Sequence, residues 1–132
     1  MNPRLAAVTA GLAMALAGAA FTQNWPARPV RVIVPFAAGG GADIVGRAVA
    51  QKLTESLGQQ VVVDNRPGAG GNIGTELVAR SPADGYALLM CGPNHTTNVS
   101  LFSKLTYDPV RDFEPISLLT SAPYIMVVHP SV

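Results

Sequence analysis

Two runs of β-branched residues, Val30-Arg31-Val32-Ile33-Val34 and Val61-Val62-Val63, each lead into a glycine-rich loop and then into a helical pattern. No other feature constrains the chain as much. A strand, a turn that small residues tolerate, and a helix that carries the chain back to start the next strand form the unit of a right-handed parallel α/β sheet. The first run ends at Pro35, Ala37 to Gly41 is the loop, and Asp43 to Leu57 is the helix. Its Val45, Val49, Leu53 and Leu57 recur every four residues, with Ala48 beside them, which predicts one apolar face. Gly58 is its stop.

The second unit repeats the plan. Asp64-Asn65 closes its strand, Arg66 to Gly71 is its loop, and Asn72 is the expected N-cap of a helix through Arg80 with Ile73 and Leu77 facing inward. Tyr86 to Cys91 is continuously apolar, which predicts a third strand covered on both faces. Gly92-Pro93-Asn94-His95 breaks it, and Thr96 or Thr97 is the expected cap of a helix carrying Val99, Phe102 and Leu105. Asp108 to Phe113 reads as a loop or one helical turn. Ile116 to Val128 is apolar and β-prone, which predicts a long fourth strand bent at Pro123. Trp25 is the expected anchor on the first strand.

The N-terminus has a different character. Asn2-Pro3-Arg4 is a short positive start, Leu5 to Phe21 is uncharged and apolar, and Ala17 to Ala20 holds small-x-small cleavage patterns. This predicts a secretory signal peptide over residues 1–20, cut near Ala19 or Ala20, and a mature protein in the periplasm. A lone cysteine, Cys91, is then best buried.

In parallel sheets ligands bind beyond the carboxyl ends of the strands. Three loops lie there: Pro35 to Asp43, Asn65 to Asn72, and Gly92 to Thr97. Gly39-Gly40-Gly41 lets a ligand approach backbone N–H groups, and the helix behind it aims its positive end at the same place. That suits a carboxylate or a phosphate. Asn94, His95, Thr96 and Thr97 offer side-chain hydrogen bonds. Asp43 fits two roles: it can cap the helix, or it can face the ligand with its charge shielded by Arg47 one turn on.

Other chemistries lack their residues. Nine Lys and Arg against eight Asp and Glu leave a net charge of +1, with no basic excess to grip nucleic acid. Gly41 and Gly46 have P-loop spacing, but Arg47-Ala48 stands where Lys and Ser or Thr are needed. Ile44 replaces the third glycine of a dinucleotide loop, although Asp64 sits where a ribose-binding acid would. No Gly-x-Ser-x-Gly elbow is present, and His95 and His129 are too sparse for a metal site without carboxylate help. A secreted hydrolase using Cys91 or His95 is the alternative from another class. The chain is read as a non-enzyme with no cofactor.

The stretch Pro35-Phe36-Ala37-Ala38-Gly39-Gly40-Gly41-Ala42-Asp43-Ile44-Val45-Gly46-Arg47 resembles the Bug-type substrate-binding proteins of tripartite tricarboxylate transporters. The resemblance continues through Val61 to Gly74, Ser81 to Tyr86, Tyr107 to Phe113 and Val127 to Pro130. It implies a type II periplasmic binding protein, with two α/β lobes closing on a small organic acid: a di- or tricarboxylate, an acidic amino acid or an aromatic carboxylate. The implied partners are the membrane subunits of such a transporter; a periplasmic sensor for a signalling receptor is the alternative. In that family the first lobe holds a carboxylate through backbone groups and ordered waters. The loop concerned spans Phe36, Ala37, Ala38, Gly39, Gly40, Gly41 and Asp43 here, with help from Asn72, Asn94, His95 and Thr96 in the neighbouring segments. Residues 21–120 would form the first lobe and 121–132 the start of a crossover to a second. The other wall of the cleft would lie outside this sequence, so these 132 residues alone would bind ligand weakly or not at all.

Overall fold

The computed structural model describes residues 25–123 and 125–131, so the predicted signal peptide lies outside the described residues. Strand β1 spans Val30–Val34, β2 spans Val61–Asn65 and β3 spans Ala87–Leu89. They form one parallel sheet in the order β2-β1-β3. Val30 pairs with Val61 and Val34 with Asn65 on one side of β1; Arg31 pairs with Ala87 and Ile33 with Leu89 on the other. With a neighbour on each edge, β1 is the most buried element, and only Arg31 is exposed. Pro35 has no N–H to continue the ladder.

Helix α1 (Gly41–Leu57) leaves the first loop and covers one face of β1 and β2. Val30, Val32, Val34, Val61 and Ala50 form the buried core, with Leu53, Leu57, Leu88 and Met90 packed against it. The innermost helical positions are Asp43, Gly46 and Ala50, while Val45 and Val49 are half-buried and Ala48 is exposed. The predicted stripe at strict fours therefore sits off the true face. A helix of 3.6 residues per turn returns to one side by alternating threes and fours. At Gly58 the backbone turns left-handed (φ 66°), and its N–H bonds the Thr54 carbonyl. The Thr54 hydroxyl then accepts from Val61 N–H at 3.0 Å, which fixes where β2 begins.

Helix α2 (Asn72–Ala79) packs on β1 and β3. It turns Gly74 and Thr75 inward, leaving Ile73 54% and Leu77 39% exposed, which reverses the orientation expected from its apolar residues. Close approach decides this. A Cβ on Gly74 would lie 2.8 Å from the Arg66 carbonyl oxygen and 3.0 Å from Pro35 Cβ, so only glycine fits the contact. Helix α3 (Asn94–Leu101) starts earlier than expected, with Pro93 as its N-cap. The Thr96 and Thr97 hydroxyls donate back to the Pro93 carbonyl instead of capping.

Four other expectations are corrected. Strand β3 is short and half-buried, because it has a strand neighbour on one side only among the described residues. Cys91, just past its end, is exposed rather than buried. No strand forms among the described residues of Ile116 to Val128. That segment pairs with no edge, and Met126 is 91% exposed. Trp25 packs against Tyr86 and Gly85 at the start of β3, not on β1.

Candidate functional site

The loops after β1, β2 and β3 meet at the carboxyl edge of the sheet, around Pro35. A Cβ on Gly71 would lie 3.4 Å from Pro35 Cβ and 2.6 Å from Asn94 Nδ2. One on Gly92 would lie 3.4 Å from the Phe36 ring. These contacts draw Phe36, Asn72 and Asn94 to one place.

The first loop is held from beneath. Asp43, 3% exposed, is the third residue of α1. Its Oδ2 accepts from Gly39 N–H and Arg47 Nε, both at 2.9 Å, and its Oδ1 accepts from Asn65 Nδ2 at 3.0 Å. Asn65 Nδ2 also donates to the Phe36 carbonyl at 3.2 Å, and Arg47 donates to Asn65 Oδ1. An acid at this helical position reaches back to a loop N–H much as in a capping box. The Arg47 hydrogen bond, then those of Gly39 and Asn65, hold the Asp43 carboxyl down at about 2. Its charge is thus answered by Arg47 within the protein.

Above that brace, Ala37, Ala38, Gly39, Gly40 and Gly41 form one exposed stretch. Gly40 caps α1 with no side-chain hydrogen bond, and the first helical bond runs from Ile44 N–H to the Gly40 carbonyl. The N–H groups of Gly40, Gly41, Ala42 and Asp43 meet no acceptor among the described residues. They are the orphan donors of a helix start, with the positive end of the helix dipole behind them. Four donors and no adjacent free negative charge can receive a carboxylate.

The second and third loops are tied by amides. Residues Ala69–Gly71 make one 3₁₀ turn, and the Gly70 carbonyl accepts from Asn94 Nδ2 at 2.7 Å and Asn98 Nδ2 at 3.0 Å. Asn98 Nδ2 also donates to Asn72 Oδ1 at 2.7 Å, where Tyr107 Oη donates at 2.8 Å. His95 sits in an aromatic cluster: it stacks near Tyr107 and meets Phe113 edge-on at 4.9 Å, and its Nε2 donates to the Pro109 carbonyl at 2.9 Å. The Thr96 hydroxyl is spent on Pro93. The structure therefore brings Phe36, Ala37, Ala38, Gly39, Gly40, Gly41, Asn72 and Asn94 to one edge. Asp43 lies under it, His95 is turned into an aromatic cluster of its own, and Thr96 is exposed with its hydroxyl bonded to Pro93. Asp64, at the end of β2, is ion-paired with Arg31 and Arg66.

Sequence reasoning missed Asn98 and Tyr107. The signal for Asn98 was its spacing: Asn94 and Asn98 lie four apart on one helix and so share a face. Tyr107 reaches Asn72 from 35 residues away, and that hydrogen bond left no such trace. An open groove of about 630 Å³ lies between the end of α3 and residues 105–112, and includes none of the first loop.

Comparison with known proteins agrees with this fold. A family profile described as "Tripartite tricarboxylate transporter family receptor" matches residues 45–132. Protein BugT of Bordetella pertussis is 42% identical over 96% of the chain. The periplasmic binding protein BugD shares 45% identity with a TM-score of 0.63, over 70% of this chain and 31% of that one. MatC of Rhodopseudomonas palustris, solved with bound malate, shares 41% identity with a TM-score of 0.67, over 72% of this chain and 33% of that one. The chain spans 40% of the length of BugT. The family is one of binding proteins and not of enzymes. The chain belongs to the tripartite tricarboxylate transporter receptor family, the family of the Bug proteins.

Proposed function

We propose that this chain carries one wall of the ligand cleft of an exported receptor, which captures a small organic carboxylate and hands it to the membrane subunits of a tripartite tricarboxylate transporter. The observation that carries the reading is the exposed stretch Ala37–Gly41, with the unpartnered N–H groups of Gly40 to Asp43 at its end and the Asp43 charge neutralised beneath it. Phe36, Asn72 and Asn94 flank that stretch. Asp43 acts by shaping the loop, and His95 by fixing the segment around Pro109. MatC supports the ligand class, since its structure holds a dicarboxylate. No step makes or breaks a covalent bond: capture consists of replacing water on the carboxylate by fixed N–H donors, each charge-assisted bond worth about 1.5–3 kcal/mol. A facing wall would complete the cleft and exclude solvent. With four donors in place, one wall alone should bind weakly rather than not at all, in roughly the millimolar range.

Thermal unfolding of the chain in malate and in the neutral diamide of malate, at equal ionic strength, tests this. At ten times the dissociation constant, malate should add about 1.4 kcal/mol of stability. That raises Tm by about 5–10 °C. The diamide should add none. Equal shifts from both, or none from either, overturn the reading.

A further inference from the structure

One side chain at the carboxyl edge has its orientation dictated by a backbone group two hydrogen bonds away. The Gly70 carbonyl can only accept, so the Asn98 atom 3.0 Å from it is the NH₂ nitrogen. That nitrogen also lies 2.7 Å from a carboxamide atom of Asn72, which must therefore be the oxygen. Tyr107 Oη, 2.8 Å away, donates to the same oxygen. Both lone pairs of Asn72 Oδ1 are used, and its NH₂ group must face the other way. Asn72 Nδ2 meets no acceptor among the described residues and is not a buried atom. It is a solvent-accessible donor beside Gly71, where an added Cβ would lie 3.4 Å from Pro35 Cβ at the root of the first loop.

Asn98 is 3% exposed and Tyr107 7%, so neither reaches a ligand itself. We infer that Asn98 and Tyr107 are positioning residues that lock the Asn72 carboxamide with its NH₂ outward, making it a hydrogen-bond donor to the bound carboxylate. This rests on the carboxylate-binding reading and adds a selectivity device to it. An unlocked asparagine rotates and serves a carboxylate or an ammonium equally; a locked one serves only an acceptor.

The test reads side-chain amides by NMR on the chain. Without ligand, the Asn98 NH₂ should exchange with water at least about tenfold more slowly than the Asn72 NH₂. On titration with malate the Asn72 NH₂ signals should shift together with the backbone amides of Gly40 to Asp43. Tyr107→Phe keeps the ring in the His95–Phe113 cluster and removes one donor, so it should weaken malate binding about twofold to tenfold while the α2 backbone signals stay in place. Asn98→Asp should turn the Asn72 NH₂ inward, where it becomes protected from exchange. A protected Asn72 NH₂ in the unaltered chain overturns the inference whatever binds. Backbone shifts at Gly40 to Asp43 with a static Asn72 NH₂, or a Tyr107→Phe chain that binds malate as the parent does, overturn it and leave the carboxylate site standing. No shift anywhere overturns both.

Discussion

Replacing one glycine by alanine should have opposite effects at two places in this chain. At Gly74, inside α2, alanine gains about 1 kcal/mol of helix propensity. Its Cβ would then sit 2.8 Å from the Arg66 carbonyl oxygen, 3.0 Å from Pro35 Cβ and 3.1 Å from Pro35 Cα. Two of the three are backbone atoms and the third belongs to a proline ring, so none can swing aside. Overpacking of this kind costs about 1–3 kcal/mol, and the rigid surroundings favour the upper end. The net result for Gly74→Ala is a loss of about 1–2 kcal/mol. At Gly41, the first residue of α1, an added Cβ meets nothing within 4 Å. Gly41→Ala should therefore be neutral or stabilising by up to about 1 kcal/mol. The assay is urea unfolding followed by circular dichroism at matched m-values. A Gly74→Ala chain as stable as the parent would refute the seating of α2 on Pro35, and with it the placement of Asn72. Gly41→Ala carries a second consequence. Its methyl occupies the space a carboxylate would enter, so malate binding should fall although stability does not.

Other expectations concern charge and sulfur. The Asp43 carboxyl is held at about 2, below its ordinary value of 3.8, by Arg47, Gly39 and Asn65. A lowered carboxyl contributes stability that is fully present above pH 3.8 and lost as pH falls through about 2. Asn in place of Asp43 should lower stability at neutral pH and flatten its acid dependence between those values; an unchanged acid titration would contradict the brace. Cys91 is exposed, so a thiol reagent should label the native chain to one equivalent without denaturant; a need for denaturant would place the residue in the core after all.

How far the sequence carried differs by element. Its β-branched runs located β1 and β2, and their register follows once the glycine loops fix where each strand ends. The three converging loops were legible because glycine, proline and asparagine declare themselves locally. Helix orientation was not. Apolar content pointed Ile73 and Leu77 inward, whereas a backbone-to-backbone contact at Gly74 turned the helix the other way, and a missing side chain carries no hydropathy signal. Asp43 left two roles open in the sequence, and three donors converging from Gly39, Arg47 and Asn65 make it a brace. The amide chain from Gly70 to Tyr107 was invisible for another reason: its members come from three segments, around Gly70 and Asn72, at Asn98 and at Tyr107, brought together only by folding. Ile116 to Val128 has strand composition, but a strand also needs an edge to pair with, which composition does not supply.

On the proposed function, the N–H groups opening α1 receive a carboxylate. A titration of the ¹⁵N-labelled chain with malate, read amide by amide, tests it most directly. The largest shifts should fall on Gly39 to Asp43, saturate in roughly the millimolar range, and vanish when the diamide replaces malate. Shifts centred instead on the groove at Tyr107 to Asp112, or the same shifts with the diamide, would contradict it.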